Sequence, residues 1–313
     1  AAAAAAAVAA SRLATMGYGD ARGPLWVRRE IAALIGDRMF RRFVDPDNLC
    51  VGAGAKAIMR ALMLTLTEEG QGCLIPTPYF AGFDEILVGV GARAWAAGGV
   101  ASGGGGVEGG VDAGISPGVL QAALREARDA DVEIRVLLIT SPHNPTGRLY
   151  SAKALITAIR WARKRSLHVV VDEVYANSVH RPNASFRSAG SLAANGCGMG
   201  KDVHVVYGLS KDLGVAGWRV GILCSENKEV LATVSKLVHT SSQVSSDTID
   251  TVGRLLRDRK WRKTAFSYPY VGLRVAYVSL VNDLGRKGIM HVQAEAGLFV
   301  MLDLREFLED SSK

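Results

Sequence analysis

The sequence contains few cysteines and no long hydrophobic run. Only four cysteines occur among 313 residues, they form no C-x-x-C pair, and no histidine stands at zinc-ligand spacing from them. This pattern excludes a disulfide scaffold and a structural zinc site, and it predicts a reducing, cytoplasmic compartment. No apolar run reaches the roughly 18–20 residues that a membrane helix needs. The alanine-rich residues 1–17 lack the basic start of a secretory signal, although an organellar targeting segment stays open.

Neither positive nor negative charge is concentrated in one part of the sequence. The chain has 37 lysines and arginines and 30 aspartates and glutamates, which gives a net charge of +7. The one basic cluster, residues 160–165, has the character of a solvated helix face, so we expect no nucleic acid and no membrane as partner. Apolar residues make up 49% of the chain, which is enough to bury a sizeable core.

Strand and helix patterns alternate from residue 18 onward. Residues 135–140, 168–171 and 203–207 are nearly continuous apolar runs, as expected of strands buried on both faces. The alternation predicts an α/β fold in which helices flank a mostly parallel sheet. Further predicted strands are 49–51, 73–75 and 297–303; predicted helices are 25–41, 55–66, 119–127, 151–165, 228–239 and 246–257, with 261–285 mostly helical and the glycine-rich residues 97–114 a surface loop.

Polar residues follow the predicted strands where each one ends. Asn144 lies after strand 135–140, Asp172 and Tyr175 after strand 168–171, and Ser210 and Lys211 after strand 203–207. Because ligands of open α/β sheets bind beyond the carboxyl ends of the strands, we expect these side chains to form one site. The glycine turn at 52–54, at the start of a predicted helix, is a candidate phosphate cradle, and Arg219 follows Lys211 by eight residues.

This set of side chains matches the needs of pyridoxal 5′-phosphate. A lysine amine such as Lys211 can form a Schiff base with the aldehyde, and a carboxylate such as Asp172 can pair with the pyridine nitrogen. Asn144 and Tyr175 can reach the phenolate oxygen. The phosphate can be neutralised by Arg219, Ser210 and the N–H groups of Ala55 and Lys56, while Tyr79 or Phe80 can stack on the ring.

Several segments resemble the cofactor motifs of fold-type I pyridoxal phosphate enzymes, the class I/II aminotransferase superfamily. They are SPHNPTG, HVVVDEVY and YGLSKDLGVAGWRVG, and the likeness spans residues 18–305. Within the superfamily, PTPYFAGFDEIL and SKDLGVAGWRVGI resemble the 1-aminocyclopropane-1-carboxylate (ACC) synthases and ACC synthase-like proteins. The resemblance implies a large domain over 18–262, a partial small α+β domain over 263–313, and a homodimer acting on a small amino-acid substrate.

The resemblance also implies a role for each matching residue. Lys211 would be the Schiff-base lysine and proton shuttle, and Asp172 and Tyr175 would share the catalytic site with it. Phe80 would be the ring-stacking position, and the Asn144–Pro145 bond would be cis. The implied cofactor-binding residues are Tyr18, Ala55, Lys56, Phe80, Asn144, Asp172, Tyr175, Ser210, Lys211 and Arg219.

Some positions depart from the family pattern. Gly208 replaces a serine that binds phosphate, and Lys56 replaces a threonine or serine; its amine could supply charge to the phosphate or point into solvent. Tyr18 is the candidate for the tyrosine that reaches the partner's phosphate, but Ala21 fits that position equally well. The substrate-carboxylate arginine of the family belongs to a segment beyond Lys313, and Arg305 is not expected to replace it.

Two functions from different classes follow. The first is a pyridoxal phosphate-dependent enzyme, either an aminotransferase or an ACC synthase-like lyase, that acts on an amino acid or S-adenosylmethionine in amino-acid metabolism. The second is a catalytically weak cofactor-binding or regulatory homologue, in which the carboxylate arginine is lacking.

Other functional interpretations of the motifs are less favoured. Residues 52–57 lack the acidic residue that a dinucleotide fingerprint needs about twenty positions later. The Tyr207-x-x-x-Lys211 spacing of short-chain dehydrogenases lacks its glycine-rich N-terminal turn. Asp172 and Glu173 are adjacent on a strand, so they should point to opposite faces and should not share a substrate.

Overall fold

A seven-stranded sheet forms the centre of the molecule. A computed structural model describes residues 19–98, 110–192, 199–266 and 268–307 of the chain. The strand order across the sheet is β1-β7-β6-β5-β4-β2-β3. The strands are β1 Leu49–Ala53, β2 Gly72–Pro76, β3 Arg93–Ala97, β4 Ile134–Thr140, β5 His168–Asp172, β6 Val203–Gly208 and β7 Val220–Ser225.

The sheet is mostly parallel. Strand β7 runs antiparallel to both of its neighbours, β1 and β6, while the other adjacent pairs are parallel. Strands β1, β4, β5 and β6 therefore end at the same edge of the sheet at which β7 begins. This arrangement confirms the predicted α/β fold with a mostly parallel sheet.

Helices cover both faces of the sheet. Along β4, Leu137 and Ile139 pack into one core cluster and Val136 and Leu138 into another, on the opposite face. This double burial explains why the strand is apolar at every position rather than at alternate ones. The helices are α1 Leu25–Ile35, α2 Ala55–Leu66, α3 Gly82–Val88, α4 Val111–Gly114, α5 Pro117–Asp129, α6 Ala152–Arg163, α7 Leu209–Asp212, α8 Lys228–Ser241, α9 Ser246–Arg257, α10 Arg259–Ala265 and α11 Tyr268–Arg286.

The structure corrects several predicted elements. The helix predicted over 25–41 ends as an α-helix at Ile35 and continues as a π-helical turn, Gly36–Phe40. The strand predicted over 297–303 is reduced to β9, Leu302–Asp303, which pairs with β8, Met290–His291. Within the predicted loop 97–114, Ala97 belongs to β3 and residues 111–114 form a helical turn, while residues 99–109 lie outside the described part.

The segments that connect β5 to the rest of the sheet are held by buried polar contacts. Glu173 is fully buried, and its carboxyl group accepts hydrogen bonds from the Ser188 hydroxyl and the Ala189 N–H, both at 2.7 Å. Glu173 thus points away from its neighbour Asp172, as the strand geometry predicts, and it anchors the chain after Tyr175. In the described residues, no helix is both long and apolar enough to span a membrane.

Candidate active site

Strand register brings the predicted site segments to one edge of the sheet. Thr140 pairs with Asp172 in the β4–β5 ladder, and Asp172 pairs with Val206 in the β5–β6 ladder. Gly208, at the end of β6, lies opposite Gly221 of β7. In the next ladder, Gly221 faces Gly52 of β1. The loops that carry Asn144, Tyr175, Lys211 and Arg219 therefore all leave the sheet at this edge.

Few groups of the chain offset the burial of the Asp172 carboxylate. Its Oδ1 accepts a hydrogen bond from the N–H of Val174 at 3.2 Å. Burial raises the pKa of Asp172 to about 7, although the Val174 N–H and the positive charge of Lys211 act in the opposite direction. A cationic group placed against this carboxyl would offset the cost of its burial. A protonated pyridine nitrogen is such a group, so Asp172 fits the predicted cofactor.

Tyr175 and Asn144 flank the end of β5. The ring of Tyr175 packs edge-to-face on Phe299, with 5.1 Å between the ring centroids. Burial, together with the nearby charges of Asp172 and Asp212, raises the pKa of the Tyr175 phenol to about 12, so the group remains a hydrogen-bond donor at neutral pH. Asn144 is half-buried, and its bond to Pro145 is cis, which confirms that prediction.

His143 supports the loop that carries Asn144. Its Nδ1 lies 2.7 Å from the Thr146 hydroxyl, and its ring packs edge-to-face on Tyr150. Burial lowers the pKa of His143 to about 4, so the imidazole is neutral at pH 7. His143 therefore braces the loop through contacts within the chain.

The N-terminus of α2 forms a cradle of backbone atoms at the same edge. Gly54, which precedes α2, has a φ of 92°, and no side chain caps the helix. The Arg219 guanidinium packs so closely on Gly54 that a Cβ there would lie 2.3 Å from Nη2. A Cβ on Gly221 would lie 2.2 Å from the carbonyl carbon of Gly54. An uncapped helix start beside a guanidinium is the arrangement that binds phosphate groups, so these residues fit the phosphate of the predicted cofactor.

Lys211 lies on the short helix α7, where the chain turns away from β6. Its side chain is exposed and Ser210 is half-buried. The amine lies near enough to Asp172 for its charge to act on the pKa of that carboxyl. A lysine amine and a carboxylate thus occupy the same edge of the sheet, beside the cradle at α2.

A buried cluster that sequence reasoning missed holds this lysine turn. Asp212 is 3% exposed. Its Oδ2 accepts hydrogen bonds from the Tyr207 hydroxyl at 2.8 Å and from the Asn177 amide at 2.9 Å. Tyr207 therefore donates to Asp212 rather than forming the catalytic pair with Lys211 that the dehydrogenase spacing would require. The signal in the sequence was the carboxylate of Asp212, which directly follows Lys211 in the motif YGLSKDLGVAGWRVG.

Three predicted positions make contacts with other side chains of the chain. The Lys56 amine forms an ion pair with Glu85 of α3, so its charge is directed toward that helix. Phe80 is 45% exposed and packs edge-to-face on Phe83, while the Tyr79 hydroxyl donates to Asp84 at 2.9 Å. Tyr18 lies outside the described residues.

No group of three or more metal-ligating side chains occurs in the parts of the chain that the structure describes. The polar residues that do converge are a carboxylate, an amide, a phenol, an amine and a guanidinium. Together with the backbone cradle, they match an organic cofactor that has a phosphate group and a ring nitrogen.

Comparison with known proteins shows the family to which this chain belongs. The family model for aminotransferase class I and II matches residues 1–311, so the chain belongs to that family. Its relatives include 1-aminocyclopropane-1-carboxylate synthase 7 of Arabidopsis thaliana, 32% identical over 86% of this chain. The ACC synthase-like protein 1 of Homo sapiens is 31% identical over 93% of it.

Several solved structures with the same fold are aminotransferases. A mutant of the Thermus thermophilus aspartate aminotransferase matches 97% of this chain and 77% of its own, with a TM-score of 0.79 and 19% identity. The aromatic aminotransferase of Pyrococcus horikoshii matches 96% of this chain and 75% of its own, with a TM-score of 0.80 and 20% identity. The chain spans between half and two thirds of the curated relatives, 59% of the Arabidopsis protein and 58% of the human one.

Proposed function

We infer that the protein is a pyridoxal phosphate-dependent enzyme that acts on an amino acid or on S-adenosylmethionine. The observation that carries this proposal is the position of Asp172, a poorly compensated carboxylate at the end of β5, with Lys211 at the end of the neighbouring strand. The phosphate cradle of Gly54 and Arg219 lies at the same edge of the sheet.

Different residues would bind different groups of the cofactor. Asp172 would keep the ring nitrogen protonated, and the Tyr175 hydroxyl and the Asn144 amide would hold the phenolate oxygen. Arg219, Ser210 and the first N–H groups of α2, at Ala55 and Lys56, would bind the phosphate. Phe80 is the proposed stacking residue, and Lys211 would hold the aldehyde carbon covalently.

The bound cofactor supplies an electron sink that makes the α-proton of an amino acid acidic. The chain's own contribution to that step is Lys211, whose amine would remove and return the proton at the substrate's Cα. Asp172, as an anion, would keep positive charge on the ring side of the site while this happens. The buried cluster of Asp212, Tyr207 and Asn177 would hold the lysine turn in place.

Two reactions are consistent with these residues. The relatives at 30–34% identity are named ACC synthases or ACC synthase-like proteins, and on that basis we favour an ACC synthase-like enzyme. An aminotransferase needs the same cofactor residues, so the second reaction stays a candidate. We further propose that the protein works as a homodimer on a small-molecule substrate.

Cofactor attachment is tested by absorbance. The purified protein, incubated with pyridoxal phosphate and then dialysed, should show a visible absorbance band that disappears on borohydride reduction. Lys211→Ala should abolish the band because the covalent link is lost, whereas the exposed Lys164→Ala should leave it unchanged. A wild-type protein that stays colourless after cofactor addition and dialysis would contradict the proposal.

The reaction type is tested by product identification. The cofactor-loaded protein is incubated with S-adenosylmethionine in one sample and with an amino acid plus 2-oxoglutarate in another. Formation of 1-aminocyclopropane-1-carboxylate supports the ACC synthase-like function, and formation of glutamate supports the aminotransferase. Neither product from a protein that binds the cofactor would instead support the weak cofactor-binding homologue.

A further inference from the structure

A basic cavity lies beside the turn that carries Lys211 and Asp212. It has a volume of about 730 Å³ and is bounded by the π-helical turn after α1, the loop that follows Tyr175, and helix α10. The proposed cofactor residues Gly54, Ala55, Lys211 and Arg219 are not part of its lining. Its cationic side chains are Arg38, Arg41, Arg259, Arg262 and Lys263, and its described lining contains a single carboxylate, Asp37.

The carboxylate does not neutralise these cations. Asp37 accepts a hydrogen bond from Arg262 at 2.9 Å through Oδ2. Arg41 donates to the backbone carbonyl oxygen of Asp37 at 3.0 Å, which leaves its charge uncompensated. Among the described lining residues, one carboxylate therefore accompanies four arginines, and its side chain bonds to Arg262 alone of them.

Arg38 is the half-buried cation of this group. Its guanidinium lies over the ring of Phe266, 5.0 Å from the centroid. Among the described residues, no carboxylate or carbonyl oxygen accepts a hydrogen bond from it. Burial lowers the pKa of Arg38 and the charges of Arg41 and Arg262 act in the same direction, while Tyr207 and Asp212 act in the opposite one. An anion in the cavity would relieve both the desolvation and the repulsion.

The lining also has polar groups suited to a small ligand. Asn177 and Ser185 face the same cavity as the arginines. Guanidinium groups bind the planar or tetrahedral oxygens of carboxylates and phosphates in pairs, and a concave surface of one charge sign concentrates counter-ions. A volume of this size is typical of small-molecule sites.

We propose that this cavity binds a small molecule with two or more negative charges carried by phosphate or carboxylate groups. Phosphate and carboxylate share the chemistry that the arginine forks recognise, and the probes below separate them. The site adjoins the lysine turn through Asn177, whose amide donates to Asp212 Oδ2 at 2.9 Å. A bound anion therefore lies one side chain away from the residue that follows Lys211.

Binding is measured by titration calorimetry with the protein saturated with pyridoxal phosphate. Tripolyphosphate and citrate are the two probes, and saturation keeps them out of the cofactor's phosphate cradle. The double variant Arg38→Gln/Arg259→Gln should weaken binding by about tenfold or more, because two charged hydrogen-bond donors are lost. The exposed Arg125→Gln, which removes the same charge on α5, should change the affinity less than about twofold.

The outcomes separate the alternatives. Binding of tripolyphosphate or of citrate that depends on Arg38 and Arg259 supports the proposal and identifies the preferred oxygen group. Absence of binding for both probes overturns it, as does equal weakening in R125Q. Binding that is seen with the cofactor-free protein but not with the cofactor-saturated protein also overturns it, since the probe then occupies the cofactor's phosphate cradle. If the double variant does not fold, the single exposed change R259E carries the same comparison.

Discussion

Asp172 is the residue whose properties depend most on what the cleft holds. Its carboxyl group has one hydrogen bond from the chain, and burial raises its pKa to about 7. In the protein by itself, the group is therefore partly protonated at neutral pH. A bound cationic ring would lower that pKa and draw the group into its charged form, so cofactor binding and Asp172 ionisation should be coupled.

The substitution Asp172→Asn tests this coupling. It keeps the shape of the side chain and removes the charge, so we expect cofactor affinity to fall by about tenfold or more, equal to at least about 1.4 kcal/mol. The cofactor-free variant should be at least as stable as the wild type, because a carboxyl with a raised pKa is replaced by a neutral amide. Dissociation constants come from absorbance titration and stability from thermal unfolding. The exposed Asp129→Asn is the control, and equal affinities for D172N and wild type would contradict the assigned role.

At the residue scale, the sequence could indicate position where polar residues follow the end of a strand. Asn144, Asp172, Tyr175 and Lys211 could be placed at one edge because each lies within four residues of the end of an apolar run. Asp212 could not, because its partners Tyr207 and Asn177 are separated from it by 5 and 35 residues along the chain. Only the packed structure shows that this carboxylate is buried and bonded to both.

At the scale of elements, the cradle depends on the close approach of α2 to β7. The carbonyl carbon of Gly54 and the nitrogen of Ala55 would lie 2.2 and 2.4 Å from a Cβ on Gly221. These are backbone atoms at a helix start, so they cannot rotate away as a side chain could. Glycine at position 221 is therefore what lets the N-terminus of α2 stand beside Arg219.

The substitution Gly221→Ala should displace the start of α2. We expect a loss of stability of about 1–3 kcal/mol from overpacking, together with weaker binding of pyridoxal phosphate. Gly118→Ala in α5, where a Cβ meets no atom within 4 Å, should leave cofactor binding unchanged and stability equal or slightly higher. Denaturant unfolding and cofactor titration of both variants check this, and full cofactor affinity in G221A would contradict it.

The sequence predicted some elements closely and others not at all, for physical reasons. Helix α2 has its predicted limits, residues 55–66, because glycine precedes it and a threonine in extended conformation follows it. Strand β7 was not predicted, and its antiparallel direction could not have been, since a buried strand is apolar in either direction. Strand β3 was missed because its burial pattern is mixed and a glycine-rich segment follows it. The division into domains at residue 262 stays a prediction.

At the scale of the whole molecule, buried carboxyl groups link stability to pH. Burial raises the pKa of Glu173 from 4.5 to about 8 and that of Asp212 from 3.8 to about 7. The folded state therefore binds protons that the unfolded chain has released. Stability from these groups is complete below about pH 4 and is lost as the pH rises through 7 to 8. Asp172, with its raised pKa, adds to the same trend in the cofactor-free protein.

This trend predicts that cofactor-free protein unfolds more easily at pH 9 than at pH 6, with Glu173 among the contributors. In Glu173→Gln, the amide oxygen still accepts from Ala189 and the amide nitrogen can donate to Ser188, so the buried contacts survive without the charge. We expect the stability of E173Q relative to the wild type to increase by on the order of 1–3 kcal/mol between pH 6 and pH 9. The exposed Glu126→Gln should follow the wild type at both values. Urea unfolding across this pH range measures the difference; an E173Q protein that loses stability with rising pH as steeply as the wild type would show that the Glu173 carboxyl is charged in the folded state throughout.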